Sequence, residues 1–439
     1  MSRVVWVLIG TLIASDASAQ GSPLRLTLAD AVNRGFENSH RIAEIKAREA
    51  GARAAAKSVE LSKLPTVSAS AGYTRTNHVQ EFSVPQPGGT RLVVYPDIPN
   101  TVVTRVGFQW PVFTSGRTDA LERAAEAEAS AAAVDIDTAR ADLRLEIIRA
   151  YWAAVTARES VRVLEESAAR VQAQLNDARQ RFQVGLIPPN EVSSLEAQRS
   201  REQSQFIEAR NLLQSALIDL QRLIGADRGT VIELSDSLDR QSPAPPLDAA
   251  ALVAAAIETR PERKALSLRL GGLEARQQAA QATNKPSGSL AGGVDYANPN
   301  PRIFPRTRKW QESWDVGFNV NWNFYDFGRT RAQVAEASAA VSATRARIAE
   351  LDSLISADVE QRLLDLQSSD AIVRAAADAI TSAAEARRIV ADRFAAGVAT
   401  STDVLVAQVA LLESELARTR ALAGQRLAEA RLERSLGRW

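Results

Sequence analysis

No cysteine occurs anywhere in this sequence, which excludes disulfides, thiolate metal sites, a cysteine nucleophile and a lipid-modified cysteine behind a signal peptide. Histidine is nearly as scarce: His40 and His78 are the only two, too few for an imidazole metal cluster. Neither sign of charge prevails, since 53 Lys and Arg face 52 Asp and Glu, so no overall field draws in nucleic acid. No metal triad, nucleophile elbow or glycine-rich phosphate loop is present, and the chain reads as a non-enzyme without a metal or cofactor. No stretch past the N-terminus approaches the roughly 18 uncharged apolar residues of a spanning helix. If this chain enters a membrane, it does so as a β-barrel.

What is present points to long helices and a few strands. Aromatic residues make up 5% of the chain, beside long tracts of Ala, Glu, Arg, Gln and Leu, a helical composition. At the N-terminus, Arg3 precedes the apolar run Val4 to Ala14 and the small-x-small triplet Ala17-Ser18-Ala19. That is an export signal with cleavage expected after Ala19.

The chain is duplicated. WPVFTSGRT (110–118) matches WNFYDFGRT (322–330), RFQVGLIPPNEV (181–192) matches RFAAGVATSTDV (393–404), and LQRLIG (220–225) matches LERSLG (432–437), all at an offset of 212. Upstream, Leu64-Pro65 answers Lys285-Pro286 at 221 and AGY (71–73) answers VDY (294–296) at 223. The length difference of 11 residues is therefore confined to 73–110 against 296–322, which marks a surface loop.

Each half carries two alternating stretches around that loop. From Trp314 to Phe324 the even positions are Trp, Val, Phe, Val, Trp and Phe, while the odd ones are Asp315, Gly317, Asn319, Asn321 and Asn323. A strand with one oily and one polar face, of the roughly 9–11 residues that cross a bilayer at a tilt, fits lipid on one side and water on the other. Val67 to Tyr73, Thr104 to Val112 and Leu290 to Tyr296 alternate likewise, giving four strands per chain. Tyr73, Trp110, Tyr296, Trp314, Phe318, Trp322 and Phe324 are the expected lipid-face and girdle aromatics; Asn319, Asn321 and Asn323 are the expected lumen residues.

Thr114-Ser115 and Asp326 offer N-cap oxygens ahead of two long helices, each about 68 residues and roughly 100 Å long. From Leu143 to Phe182 twelve positions stepping by 4 and 3 are all apolar, and nine remain so when shifted by 212, a supercoiled seam. The return helix 190–224 and the helix 248–283 are half-length, so two such helices are expected to stack alongside each long one, with the proline-rich linker at mid-height. Four strands cannot close a barrel and lipid forbids an open edge, so chains must combine, and twelve strands leave room for a lumen where eight do not.

The duplicated GR junction after an aromatic strand end, the RFxxG turns, LTLADAVNRGFENS (26–39) and the terminal LERSLGRW resemble the outer-membrane efflux protein family, the TolC-like channels. The resemblance implies a homotrimer in outer-membrane lipid, a 12-stranded barrel continued by a periplasmic helical coiled-coil barrel, docked to a periplasmic adaptor and an inner-membrane efflux or secretion transporter. Laid along the chain, this gives a signal peptide over 1–19, a periplasmic helix over 20–63 and barrel strands with an external loop over 64–115. A long helix, turn and return helix follow over 116–225, then an equatorial linker over 226–247. Repeat 2 has its periplasmic helix over 248–285, its strands and loop over 286–327, and its long helix, turn and return helix over 328–439.

The resemblance also implies roles at the two helical turns. Asp403 matches a carboxylate that narrows the pore in the family, and Glu191 is its counterpart in the first repeat, placed to pair with Arg393. Gly185, Leu186, Gly397 and Val398 would meet the adaptor. A second aspartate and a tyrosine–arginine latch found in some members are replaced here by Val406, Phe394 and Ala399. Arg302, Arg306, Arg308 and Lys309 cluster in the second external loop, solvated or facing lipid phosphates. The rival reading is a periplasmic coiled-coil adaptor or scaffold, which leaves the aromatic strands unexplained.

Overall fold

The computed structural model describes residues 24–239 and 248–438; the expected signal peptide and the prolines of the linker lie outside them. Sixteen elements follow in chain order: β1 (Leu24–Leu26), α1 (Leu28–Asn38), α2 (His40–Leu61), β2 (Thr66–Arg75), β3 (Phe82–Pro85), β4 (Arg91–Tyr95), β5 (Asn100–Phe113), α3 (Arg117–Gln183), α4 (Pro189–Ile224), β6 (Ile232–Leu234), α5 (Ala249–Thr259), α6 (Pro261–Gln281), β7 (Ser287–Asn298), β8 (Gln311–Asn321), α7 (Arg329–Ala395) and α8 (Ser401–Ser435). The expected duplication is met residue for residue: α3 and α7 each contain 67 residues. The chain divides into two units, one taking the described residues of 1–39, 142–246 and 362–432, the other the rest.

The second unit holds a four-stranded antiparallel sheet in the order β2-β5-β7-β8. Proline sets the start of the first strand of each repeat. Pro65 and Pro286 immediately precede β2 and β7, and a residue before proline is pushed out of the helical region toward extended backbone. At the other end of each strand pair the chain turns into a long helix through two consecutive left-handed residues, Ser115-Gly116 (φ 51° and 81°) and Phe327-Gly328 (φ 54° and 89°). The expected caps form there. Thr114 Oγ1 accepts the Thr118 N–H at 3.3 Å, and Asp326 Oδ2 accepts the Thr330 N–H at 2.8 Å.

The first unit is built from α1, α4, α8 and the distal parts of α3 and α7. Eight of the twelve seam positions on α3 are buried, three are half-buried and Phe182 alone is exposed. Leu175 and Ala178 of α3 pack with Leu195 of α4 and Leu405 of α8, and Val163 and Leu164 pack with Leu412. Thus α3 is sandwiched between its own return helix and that of the other repeat.

Several expectations need correction. The half-length helix 248–283 is two helices, because Arg260 precedes Pro261 and takes extended backbone (ψ 123°), as residues before proline do. The helix of 20–63 is likewise α1 and α2, broken at Ser39 (ψ 114°) with no proline nearby. The four expected strands form the main sheet, and the described residues hold four further short ones. In the first external loop β3 and β4 form a hairpin, and β1 pairs in parallel with β6 from the linker. Strand β8 stops at Asn321, so Trp322, Asn323 and Phe324 are not strand residues. Asn321 pairs with Ser287, and the partner strand cannot extend further back because Pro286 has no N–H to offer.

Candidate functional site

The sheet register sorts the predicted residues onto two faces. One face carries rows such as Ala69, Val106, Val294 and Trp314, and Trp110, Leu290 and Phe318. All of these but the half-buried Leu290 are exposed in the single chain, Trp314 by 75%, an apolar surface too continuous for water. Tyr73 and Tyr296 lie on this face, Tyr296 stacked on Trp310 at 4.9 Å. The opposite face carries the row Ser70, Arg105, Asp295 and Ser313, with Asn319 opposite Ser289 and Asn321 opposite Ser287.

The two indoles at the strand–helix junctions play matching parts. Trp110 Nε1 donates to the Lys63 carbonyl at 2.9 Å, and Trp322 Nε1 donates to the Asn284 carbonyl at 3.0 Å. Each clasps the turn where its repeat's helix gives way to its first strand. Trp322 makes this contact although it lies outside the strand.

The polar face carries an ion network that sequence reasoning missed. Arg105 Nη1 meets Asp295 Oδ2 at 2.8 Å and Nη2 meets Asp315 Oδ1 at 2.9 Å, while Arg302 Nη2 reaches the same Asp315 oxygen at 2.7 Å. Its members are up to 210 residues apart, so only pairing could reveal them. Gly293 makes room for it: a Cβ there would lie 2.8 Å from the Val106 carbonyl and 3.0 Å from Arg105 Nη2. The loop arginines are engaged too. Arg306 lies over Tyr95, 5.4 Å from its centroid, and Arg308 donates to the Asp97 carbonyl.

The two helical turns share one backbone solution. Gly185 N–H donates to Phe182 O and Leu186 N–H to Arg181 O; Gly397 N–H donates to Phe394 O and Val398 N–H to Arg393 O. With φ at 77° in both glycines, each long helix ends in a Schellman motif. Leu186 and Val398 project at the tips, 73% and 63% exposed.

Asp403 closes a capping box at the start of α8: its Oδ2 accepts the Thr400 N–H at 2.9 Å and the Thr400 hydroxyl at 2.8 Å, while Thr400 Oγ1 accepts the Asp403 N–H at 3.2 Å. These bonds, backbone first, and the nearby Arg393 charge hold its carboxyl below the ordinary aspartate range. Among the described residues no ion pair joins Glu191 to Arg393 within the chain, and Glu191 Oε2 is buried without a hydrogen-bond partner. Phe394 lies beneath the Arg181 guanidinium at 4.9 Å.

A sheet apolar on one face and polar on the other, followed by long helical hairpins ending in paired turns, defines a channel-forming protein of the outer membrane. The family profile described as outer membrane efflux protein matches residues 32–226 and 252–438. The chain belongs to that family; it is an outer-membrane efflux protein with a large periplasmic portion, and the adaptor reading falls. It is 25% identical over 307 residues to the protein CyaE of Bordetella pertussis, covering 70% of this chain and 64% of the relative, so it spans less than two thirds of that protein. It is 22% identical over 392 residues to the outer membrane protein TolC of Vibrio cholerae, 86% and 83% of the two chains. Its fold is similar to that of the outer-membrane channel OprN, with a TM-score of 0.78, 20% identity and coverage of 93% and 89%.

Proposed function

We propose that three copies of this chain close into one passive duct through the outer membrane, fed by an inner-membrane transporter through a periplasmic adaptor that meets the turns at Gly185, Leu186, Gly397 and Val398. One observation carries the reading. Residues 155–183 of α3 include eight buried positions, whereas the equivalent 367–395 of α7 include none. The same kind of helix is flanked on both sides in one repeat and on one side in the other. A second copy supplying its α4, where Ile207, Leu212 and Ile218 are exposed, completes the set. The sheet asks for the same partner: β2 and β8 are its edges and run antiparallel, so β8 of one copy can pair with β2 of the next and leave no open edge in lipid. Four strands from each of three copies give a barrel wide enough for a lumen, with the Arg105 face inside.

Asp403 of each copy then contributes to an acidic constriction at the turns. Its depressed pKa keeps it ionised at neutral pH, so the closed end carries negative charge of threefold symmetry. The test is electron microscopy of detergent-solubilised protein from the outer-membrane fraction, with single-channel recording of Asp403→Ala. A threefold particle is expected, and Asp403→Ala should raise conductance and weaken block by divalent cations. A particle without a threefold axis would overturn the assembly; unchanged conductance and block would remove the constriction.

A further inference from the structure

Where the two hairpins of one chain meet, the Arg181 guanidinium lies over the Phe394 ring, 4.9 Å from its centroid. Arg181 stands near the end of α3 and Phe394 near the end of α7, so this contact ties repeat 1 to repeat 2. The duplication places the same dipeptide in both repeats, Arg181-Phe182 and Arg393-Phe394, at the offset of 212. Two of these four side chains are spent on each other. Phe182 is the exposed exception in an otherwise covered seam, at 44%. Arg393 is exposed as well, and among the described residues it makes no ion pair at contact distance, its electrostatic neighbour being Asp403 of its own turn. Arg181, by contrast, is steadied by Asp177 at 2.9 Å, where Ile389 stands four residues before Arg393.

In a closed ring of three duplicated chains the junctions within chains alternate with junctions between them, and each is built from the same kinds of surface. We infer that Arg393 of each protomer lies over Phe182 of the next, completing a belt of alternating arginine-on-phenyl contacts that holds the hairpin ends shut. The inference rests on the trimeric reading above. A cation over an exposed ring shifts a two-state equilibrium by about two- to fivefold. Three contacts between chains that break together multiply this to roughly ten- to hundredfold. The belt also gives the missing tyrosine latch a physical substitute, since a phenyl face needs no hydroxyl to hold a guanidinium.

Because the chain has no cysteine, the belt can be read by cross-linking. Phe182→Cys with Arg393→Cys, treated with a short bis-maleimide, should give covalent trimers on denaturing gels. Arg181→Cys with Phe394→Cys should cross-link within the chain and stay monomeric. In reconstituted channels Phe182→Leu, which keeps apolar bulk, should raise open probability roughly ten- to hundredfold and add little in an Arg393→Gln background. A trimer intact by native mass spectrometry that yields no interchain product, or two substitutions whose effects simply multiply, would overturn the belt while leaving the trimer standing. A protein that is monomeric in detergent would overturn the trimer and the belt together.

Discussion

Replacing Tyr151 by phenylalanine removes one oxygen and leaves the packing of a fully buried ring in place. That oxygen lies 2.8 Å from Asp236 Oδ2 and 3.0 Å from the Leu26 carbonyl, and it accepts the Asp236 N–H at 3.2 Å. It is the point where α3 fastens the parallel pair β1 and β6. A hydroxyl has a single hydrogen, so it donates to one of the two acceptors at a time. Burial pushes the phenol well above its ordinary pKa, so it acts as a neutral donor at every working pH. A hydrogen bond to a carboxylate contributes about 1.5–3 kcal/mol. Asp236 keeps its bond from the Leu28 N–H at 2.7 Å, which places the expected cost near ~2 kcal/mol, or about 30-fold in the opening equilibrium. Hydrogen exchange read by mass spectrometry should show that loss of protection at Leu24–Leu26 and Ile232–Leu234, with β5 and β7 unchanged. Protection within twofold of the natural chain at β1 and β6 would refute the reasoning.

Gly397→Ala forces a side chain into a left-handed position at φ 77° and should cost about 1–2 kcal/mol, seen as a lower unfolding midpoint; an unchanged midpoint would mean the turn relaxes. The capping carboxyl of Asp403 has a depressed folded pKa, so its support of α8 is complete above the ordinary aspartate value of about 3.9 and fades as pH falls below that through the depressed value. Amide protection at 401–404, corrected for intrinsic exchange rates, should therefore hold from pH 7 to 5, and an early loss near pH 6 would contradict the cap. Trp110→Phe removes the bond to the Lys63 carbonyl, about 1 kcal/mol, and should lower the temperature at which the oligomer dissociates in detergent. Arg105→Ala strips the cation from Asp295 and Asp315 and should shift reversal potentials toward cation selectivity; no shift would place this face away from the conducting path.

Long-period features were legible in the sequence and short or distant ones were not. The offset of 212 located both long helices and both glycine turns, because a repeat tests every position twice, and two-residue alternation located the four strands of the main sheet. The seam from Leu143 to Phe182 was readable because forty residues of spacing leave little room for accident. By contrast β1 and β6 are three residues each, too short to show a period. The β3–β4 hairpin had a signal in Pro87-Gly88-Gly89 between two apolar runs, a turn flanked by strand formers. The break at Ser39 has no proline to announce it. At the site, the role proposed for Asp403 came from the family resemblance, whereas the Arg105 network needed the register of three strands.

The parallel pairing of β1 with β6 joins residues 208 positions apart, Leu24 with Ile232 through Leu26 with Leu234. A chain is made from its N-terminus at about 5–20 residues per second, so the first strand emerges roughly 10–40 s before the residues it must pair with exist. Through that interval its backbone groups have no mate. The unit that carries Tyr151 cannot set until β6 arrives, so the first of the described strands is among the last to find its place.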